Sequence, residues 1–167
     1  LKKYPNDIDI LGNSTIAYSH AGEHASAIDT ALERLRLRRD IHSIEEAAAV
    51  IIRHAQATRN SDLPRAIEVA KTAGALIKEG ISLNPNFYHL RLLEIALRRF
   101  AHDGMTVASL TQAMYLSESC PLPFRRLAFI ALMEEVSETD DADSVLALIQ
   151  KSEITNDPKL TTIELRV

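Results

Sequence analysis

The residues best suited to binding chemistry lie close together near the middle of the chain. Arg91, Glu94, Arg98 and His102 follow one another at intervals of three, four and four residues. In a helix, that spacing places all four side chains on the same side. Such a row can be a solvated surface with an internal Arg–Glu pair. It can equally hold an acidic or carboxylate-bearing segment through charge-assisted hydrogen bonds, and both interpretations stay open here.

Residue patterns that carry catalysis or bind metals are scarce in this sequence. It contains no HExxH motif, no glycine-rich phosphate loop and no nucleophilic serine elbow. His20 and His24 are four residues apart, but Gly22 stands between them in an expected turn, which argues against a shared metal-binding face. Cys120 precedes Pro121 and is expected to be a buried small residue rather than a nucleophile. We therefore predict no catalytic residue, no metal and no cofactor.

The overall charge argues against nucleic acid or a membrane as the partner. The chain has 167 residues and a formal net charge of −4, so no global positive field attracts anionic polymers or lipids. Four arginines in the run 34–39 form one positive segment, but no aromatic residues are interleaved for base stacking. No apolar stretch approaches the roughly 18–20 residues that span a bilayer. We predict neither nucleic-acid binding nor direct membrane insertion.

The apolar pattern predicts an all-α chain. Residues 87–100 place apolar side chains at spacings of three and four, and alternating β-branched runs are absent. Asn84 is predicted to cap a helix that begins at Pro85, and Gly104 to take the left-handed conformation at its end. Ser43 is expected to begin the third helix of the chain, and Ser61 or Asp62 to cap the fourth.

The stretch 85–120 resembles a tetratricopeptide repeat, a pair of helices joined by a short turn. The residues that carry the resemblance are Leu93, Phe100, Gly104, Ser109, Ala113 and Pro121, and an earlier set is Leu11, Tyr18, Gly22 and Ala27. The resemblance implies a right-handed α-solenoid of about four antiparallel helix pairs in one domain over residues 1–167. The pairs are expected at about 7–39, 43–80, 85–120 and 123–151, with a terminal helix at 158–166.

In proteins of this family the first helix of each pair lines a concave groove in which a partner docks. By this resemblance the partner-binding residues of the chain are Asn13, His20, Arg91, Glu94, Arg98, His102 and Arg125, with Ile16 beside them. The resemblance thus implies a non-catalytic interaction or scaffold module that binds a peptide or helix of a partner protein.

Two other functions remain open from the sequence. One is a soluble tetratricopeptide-like segment of a bacterial envelope assembly, for exopolysaccharide export or polymerisation or for pilus biogenesis. The other is the helical sensory or dimerisation domain of a transcriptional regulator. Because the chain begins at Leu1 rather than methionine, we expect a fragment of a longer chain. A cytoplasmic and a periplasmic location, and any oligomeric state, are equally compatible with the sequence.

Overall fold

The computed structural model describes residues 7–137, which form seven α-helices and no β-strand. The helices are α1 (Ile8–His20), α2 (His24–Leu37), α3 (Ile41–Thr58), α4 (Leu63–Leu83), α5 (Tyr88–Phe100), α6 (Gly104–Leu116) and α7 (Leu122–Ser137). The all-α prediction is confirmed for this part of the chain. The second helix of the pair at 123–151 and the terminal helix at 158–166 were predicted for stretches outside the described residues.

By its internal contacts the chain divides into two compact units, Leu1–Phe100 and Ala101–Val167. The first contains α1 to α5 and the second contains α6 and α7. The boundary lies inside the helix pair predicted at 85–120. The assignment of all 167 residues to one repeat domain stays a prediction.

Helix α3 lies at the centre of the first unit, where it packs against α2, α4 and α5. Its buried side chains recur at one-, three- and four-residue spacings around most of the helix, which is the pattern of a helix covered on several sides. Ala47, Ala48 and Ala55 are among them, and such small side chains allow neighbouring helices to approach closely. The packing of α3 against both α4 and α5 is what brings the ends of α3 and α5 side by side.

The predicted start of α5 is wrong. Asn84 does not cap a helix beginning at Pro85, because its backbone N–H donates to the carbonyl of Gly80 at 3.0 Å and so ends α4. Its side-chain oxygen accepts a hydrogen bond from the backbone N–H of Asn86 at 3.0 Å, which folds this stretch into a turn. Helix α5 therefore begins at Tyr88.

Two further helix ends differ from the prediction, and a capping carboxylate explains each. Asp40, rather than Ser43, caps α3, and its carboxylate accepts a hydrogen bond from the backbone N–H of Ser43 at 2.9 Å. Asp103 caps α6 in the same way, so Gly104 is helical and His102 takes the left-handed conformation with φ 56°. The predicted cap of α4 is confirmed at Asp62, whose carboxylate accepts from a backbone N–H 3.0 Å away.

In the second unit α6 packs against α7. Val107, Phe129 and Met133 are fully buried, and the rings of Tyr115 and Phe129 lie 4.8 Å apart. Cys120 is buried as predicted, and that burial raises the pKa of its thiol although the nearby positive charge of Arg125 opposes the shift. The thiol is thus held in its poorly nucleophilic protonated form.

Candidate binding site on α3 and α5

Helix α5 carries a charged face, defined here by Arg91, Glu94 and Arg98. The Arg91 guanidinium donates a hydrogen bond to the Glu94 carboxylate at 3.2 Å, and the two side chains are 30% and 22% exposed. Arg98, one turn further on, is exposed. Other sides of the helix are held by the buried side chains of Leu90 and Phe100. The apolar contacts thus fix the orientation in which α5 presents the charged face.

The remaining sequence-predicted site residues lie on other elements. Asn13, Ile16 and His20 are exposed and share one side of α1, with Ile16 55% exposed. His102 follows the end of α5 in a left-handed conformation, so the helical spacing that begins at Arg91 does not extend to it. The structure brings Arg91 and Glu94 into contact, and it places His102 and Arg125 in the second unit.

Arg125 has a structural partner within the second unit. Its Nε–H donates to the backbone carbonyl of Tyr115 at 2.9 Å, and its guanidinium lies 5.8 Å from the centre of the Tyr115 ring. Together these contacts fasten the first turns of α7 to the end of α6. Arg125 could bind a partner only with the part of its guanidinium that these contacts leave accessible.

A cleft in the first unit was not predicted from the sequence. It lies at the C-terminal ends of α3 and α5 and has a volume of about 530 Å³. The side chains that line this α3–α5 cleft are Gln56, Arg59 and Asn60 from the end of α3, and Ala96, Arg99 and Phe100 from α5. Two guanidinium groups, two carboxamides and an aromatic ring therefore face one concave space, and none of the six lining residues is acidic.

The two arginines of the cleft offset the dipoles of the two helix ends. Each helix C-terminus contributes about half a negative charge, so the ends of α3 and α5 together offset about one positive charge. Arg59 and Arg99 contribute two full positive charges. The Arg59 guanidinium also lies 5.2 Å from the centre of the Phe100 ring, a cation–π contact that holds its planar fork in place. Such a fork matches the geometry of carboxylate and phosphate oxygens.

The arginine run 34–39 is neutralised within the fold. Arg36 forms a two-point ion pair with Glu33, with N–O distances of 2.8 and 2.7 Å, and Arg39 forms another with Glu79 at 2.7 Å for both contacts. Hydrogen bonds and charge from these arginines lower the pKa of Glu33 and of Glu79, although burial opposes the shift in each. The other two arginines pair with carboxylates as well, Arg34 with Glu46 and Arg38 with Asp40. Arg34 thus joins α2 to α3, and Arg39 joins the segment after α2 to α4. The other two pairs are local, and the run does not form an unpaired positive patch.

Two histidines meet between α2 and α3. The rings of His24 and His54 lie 5.7 Å apart, centre to centre. Burial lowers the pKa of His54, and the nearby charges of His24 and Arg65 lower it further. Between residues 7 and 137, no group of three or more His, Cys, Asp or Glu side chains is arranged to hold a metal ion. The His24–His54 contact thus matters for the pH response of the fold.

A second histidine cluster surrounds Glu45 near the start of α3. The Glu45 carboxylate lies 3.3 Å from Nδ1 of His89 and 3.9 Å from Nδ1 of His42. The Phe87 ring lies against both imidazoles, with centre-to-centre distances of 5.3 Å to His42 and 5.6 Å to His89. These contacts attach the turn before α5 to the first turn of α3.

Comparison with known proteins assigns no family. No protein-family model matches the sequence, and comparisons with curated proteins and with solved structures give no match. Across residues 7–137, the helices are all too short or too polar to cross a membrane. The function must therefore be inferred from the charged face and the cleft themselves.

The sequence contained only a partial signal for the cleft. Arg99 directly follows Arg98, and a step of one residue turns roughly 100° around a helix, so the two side chains point in different directions. Arg59 follows the last residue of α3, where a cation favours the helix dipole. Nothing in the sequence showed that α3 and α5 end side by side, which only their packing determines.

Proposed function

We propose that this chain is a non-catalytic protein–protein interaction module that binds an acidic segment of a partner protein. The observation that supports the proposal is the charged face of α5, where Arg91 and Arg98 stand on one side of a helix held by buried apolar contacts. The helices would belong to a right-handed, tetratricopeptide-like stack of antiparallel pairs. In such a stack, α5 is the first helix of a pair and faces the groove.

The charged face suits a carboxylate-bearing partner for two physical reasons. Each guanidinium carries five N–H donors, so the hydrogen bond from Arg91 to Glu94 leaves donors on the same group for a ligand. Hydrogen bonds between charged groups are also stronger than neutral ones and restrict orientation when they form in pairs. The contact with Glu94 restrains the Arg91 guanidinium before a ligand binds, which lowers the entropy lost on binding.

A crosslinking pull-down from source cells tests this function. The bait is the wild-type chain beside the charge-reversal variant Arg91→Glu/Arg98→Glu. The matched control is Arg36→Glu/Lys71→Glu, which makes the same charge change at two side chains that are 65% and 68% exposed on other helices. We expect a partner that is recovered with the wild type and the control and lost with the α5 variant.

Two results would contradict the proposal. A partner retained by the α5 variant would exclude the charged face as the binding surface. Turnover of a small molecule by the purified chain, with no protein partner recovered, would exclude a non-catalytic module. Substitutions at exposed positions such as Arg98 usually alter stability by less than about 0.5 kcal/mol. Arg91 is only 30% exposed and its substitution removes the pair with Glu94, so circular dichroism of each variant must show that the helical signal is unchanged.

A further inference from the structure

The α3–α5 cleft is a concave space with its own chemistry, separate from the charged face of α5. Its volume of about 530 Å³ lies within the range of roughly 300–1,000 Å³ that small-molecule sites occupy. Among the described residues, its lining comes from the last turn of α3, the two residues that follow, and the last turns of α5. A small ligand matches this extent better than a long peptide, which would have to continue beyond it.

We propose that the α3–α5 cleft binds a small organic anion through its carboxylate or phosphate oxygens. Arg59 and Arg99 would donate to those oxygens, and their charge exceeds the opposing charge of the two helix ends. Both side chains also make contacts within the fold. A guanidinium has five donors, so such contacts and a bound anion can coexist.

The other lining residues would contact the part of the ligand that carries no negative charge. Gln56 and Asn60 each offer a carboxamide, which can donate to and accept from hydroxyl or amide groups on the ligand. Phe100 and Ala96 provide an apolar surface, and the Phe100 ring positions the Arg59 fork above it. This combination of a few polar groups on a partly apolar wall is what orients a small molecule in a pocket.

Isothermal titration calorimetry of the full chain tests the site with two probes at constant ionic strength. Citrate presents carboxylates, and glycerol 3-phosphate presents a phosphate monoester. We expect saturable binding of at least one probe, and the probe that binds more tightly identifies the oxyanion. The variant Arg59→Gln/Arg99→Gln should weaken that binding roughly tenfold or more, since each charge-assisted hydrogen bond contributes that order of affinity.

Controls separate this site from general charge attraction and from the charged face. Arg36→Gln removes one positive charge at a distant exposed side chain and should leave the affinity within twofold. The single variant Arg59→Gln should still weaken binding, and it keeps the half-buried Arg99 in place should the double variant fold poorly. Arg91→Gln/Arg98→Gln should bind the probe as the wild type does. The cleft proposal and the proposed partner surface are therefore tested independently of each other.

Three results would overturn the assignment. One is that neither probe binds at millimolar concentration. Another is an equal loss of binding in Arg36→Gln and in the cleft variants, which would mean unspecific attraction. The third is that an amidated tetraglutamate peptide binds more tightly than either probe and loses affinity in the cleft variants. That result would mean that the cleft binds a peptide instead of a small molecule.

Discussion

Gly80 on α4 lies directly against Leu90 on α5. A Cβ atom built on Gly80 would come closer to Cδ1 of Leu90 than real Cβ atoms come to their neighbours, and it would lie 3.1 Å from Cγ2 of Ile44. Leu90 and Ile44 are both fully buried, so neither side chain has space to move away. The missing side chain of Gly80 therefore sets how closely α4 and α5 approach.

We expect Gly80→Ala to destabilise the chain by about 1–2 kcal/mol. Overpacking a closed core costs about 1–3 kcal/mol, and the very close contact with Leu90 places this substitution in the upper part of that range, at about 2–3 kcal/mol. The gain of about 1 kcal/mol in helix propensity offsets only part of that cost. Urea denaturation followed by circular dichroism measures the change. Gly74→Ala on the same helix is the matched control, because its added Cβ would lie 3.3 Å from the partly buried Leu97. An equal gain in stability from both substitutions would show that α4 and α5 have room at Gly80.

The ion pair between Arg34 and Glu46 joins α2 to α3 at a largely buried position. The two side chains are 20% and 17% exposed, and Nε of Arg34 and Oε1 of Glu46 are buried with no hydrogen-bond partner in the part of the chain described. We expect Glu46→Ala to reduce the free energy of unfolding by about 2–3 kcal/mol, because it leaves the arginine charge poorly solvated. The double variant Arg34→Met/Glu46→Leu should unfold within about 1 kcal/mol of the wild type, since it removes both charges and fills the space. A double variant as unstable as the single one would mean that the pair itself stabilises the fold.

The stability of the first unit should fall as the pH falls below neutral, and His54 should contribute to that fall. Burial is the main cause of its lowered pKa in the folded state, so protonation favours the unfolded chain. The stabilisation is complete above the ordinary histidine pKa near 6.5 and is lost as the pH falls from there through the folded-state value. Melting temperatures at pH 7.5 and 5.5 should differ less in His54→Gln than in the wild type. The exposed His20→Gln variant should keep the full difference, and equal differences in all three proteins would exclude His54 as the cause.

Ser61 and Asp62 were the two caps predicted for α4, and the structure distinguishes between them. Asp62 accepts a hydrogen bond from the backbone N–H of Arg65 at 3.0 Å, whereas the Ser61 hydroxyl donates to the carbonyl of Thr58 at 3.0 Å. Asp62→Ala should cost about 1 kcal/mol of stability, the usual loss of an N-cap. Ser61→Ala should cost less than about 0.5 kcal/mol, as exposed positions do. Urea denaturation measures both, and a larger loss at Ser61 would reverse the assignment.

The sequence by itself determined that the chain is helical over the described residues and roughly where most of the helices lie. Apolar spacing of three and four residues encodes a helix locally, because it repeats with the turn of the backbone. The sequence predicted the helix ends less accurately, since several residues near the end of a helix can cap it. Asn84 closes α4 instead of opening α5, and Asp40 replaces Ser43, because each end is decided by which backbone groups lack a partner.

The tertiary structure alone decided which charged residues of different helices lie close together. Arg91, Glu94 and Arg98 lie on one face as their spacing predicts, because helical geometry relates residues of one helix. His102, predicted for the same row, lies beyond the end of α5. Arg59 and Arg99 stand 40 positions apart, and they meet in one cleft only because α3 and α5 pack against each other. Arg34 and Arg39 find carboxylates on other helices, Glu46 and Glu79, for the same reason. Contacts between elements depend on the packing of buried side chains, which no local spacing records.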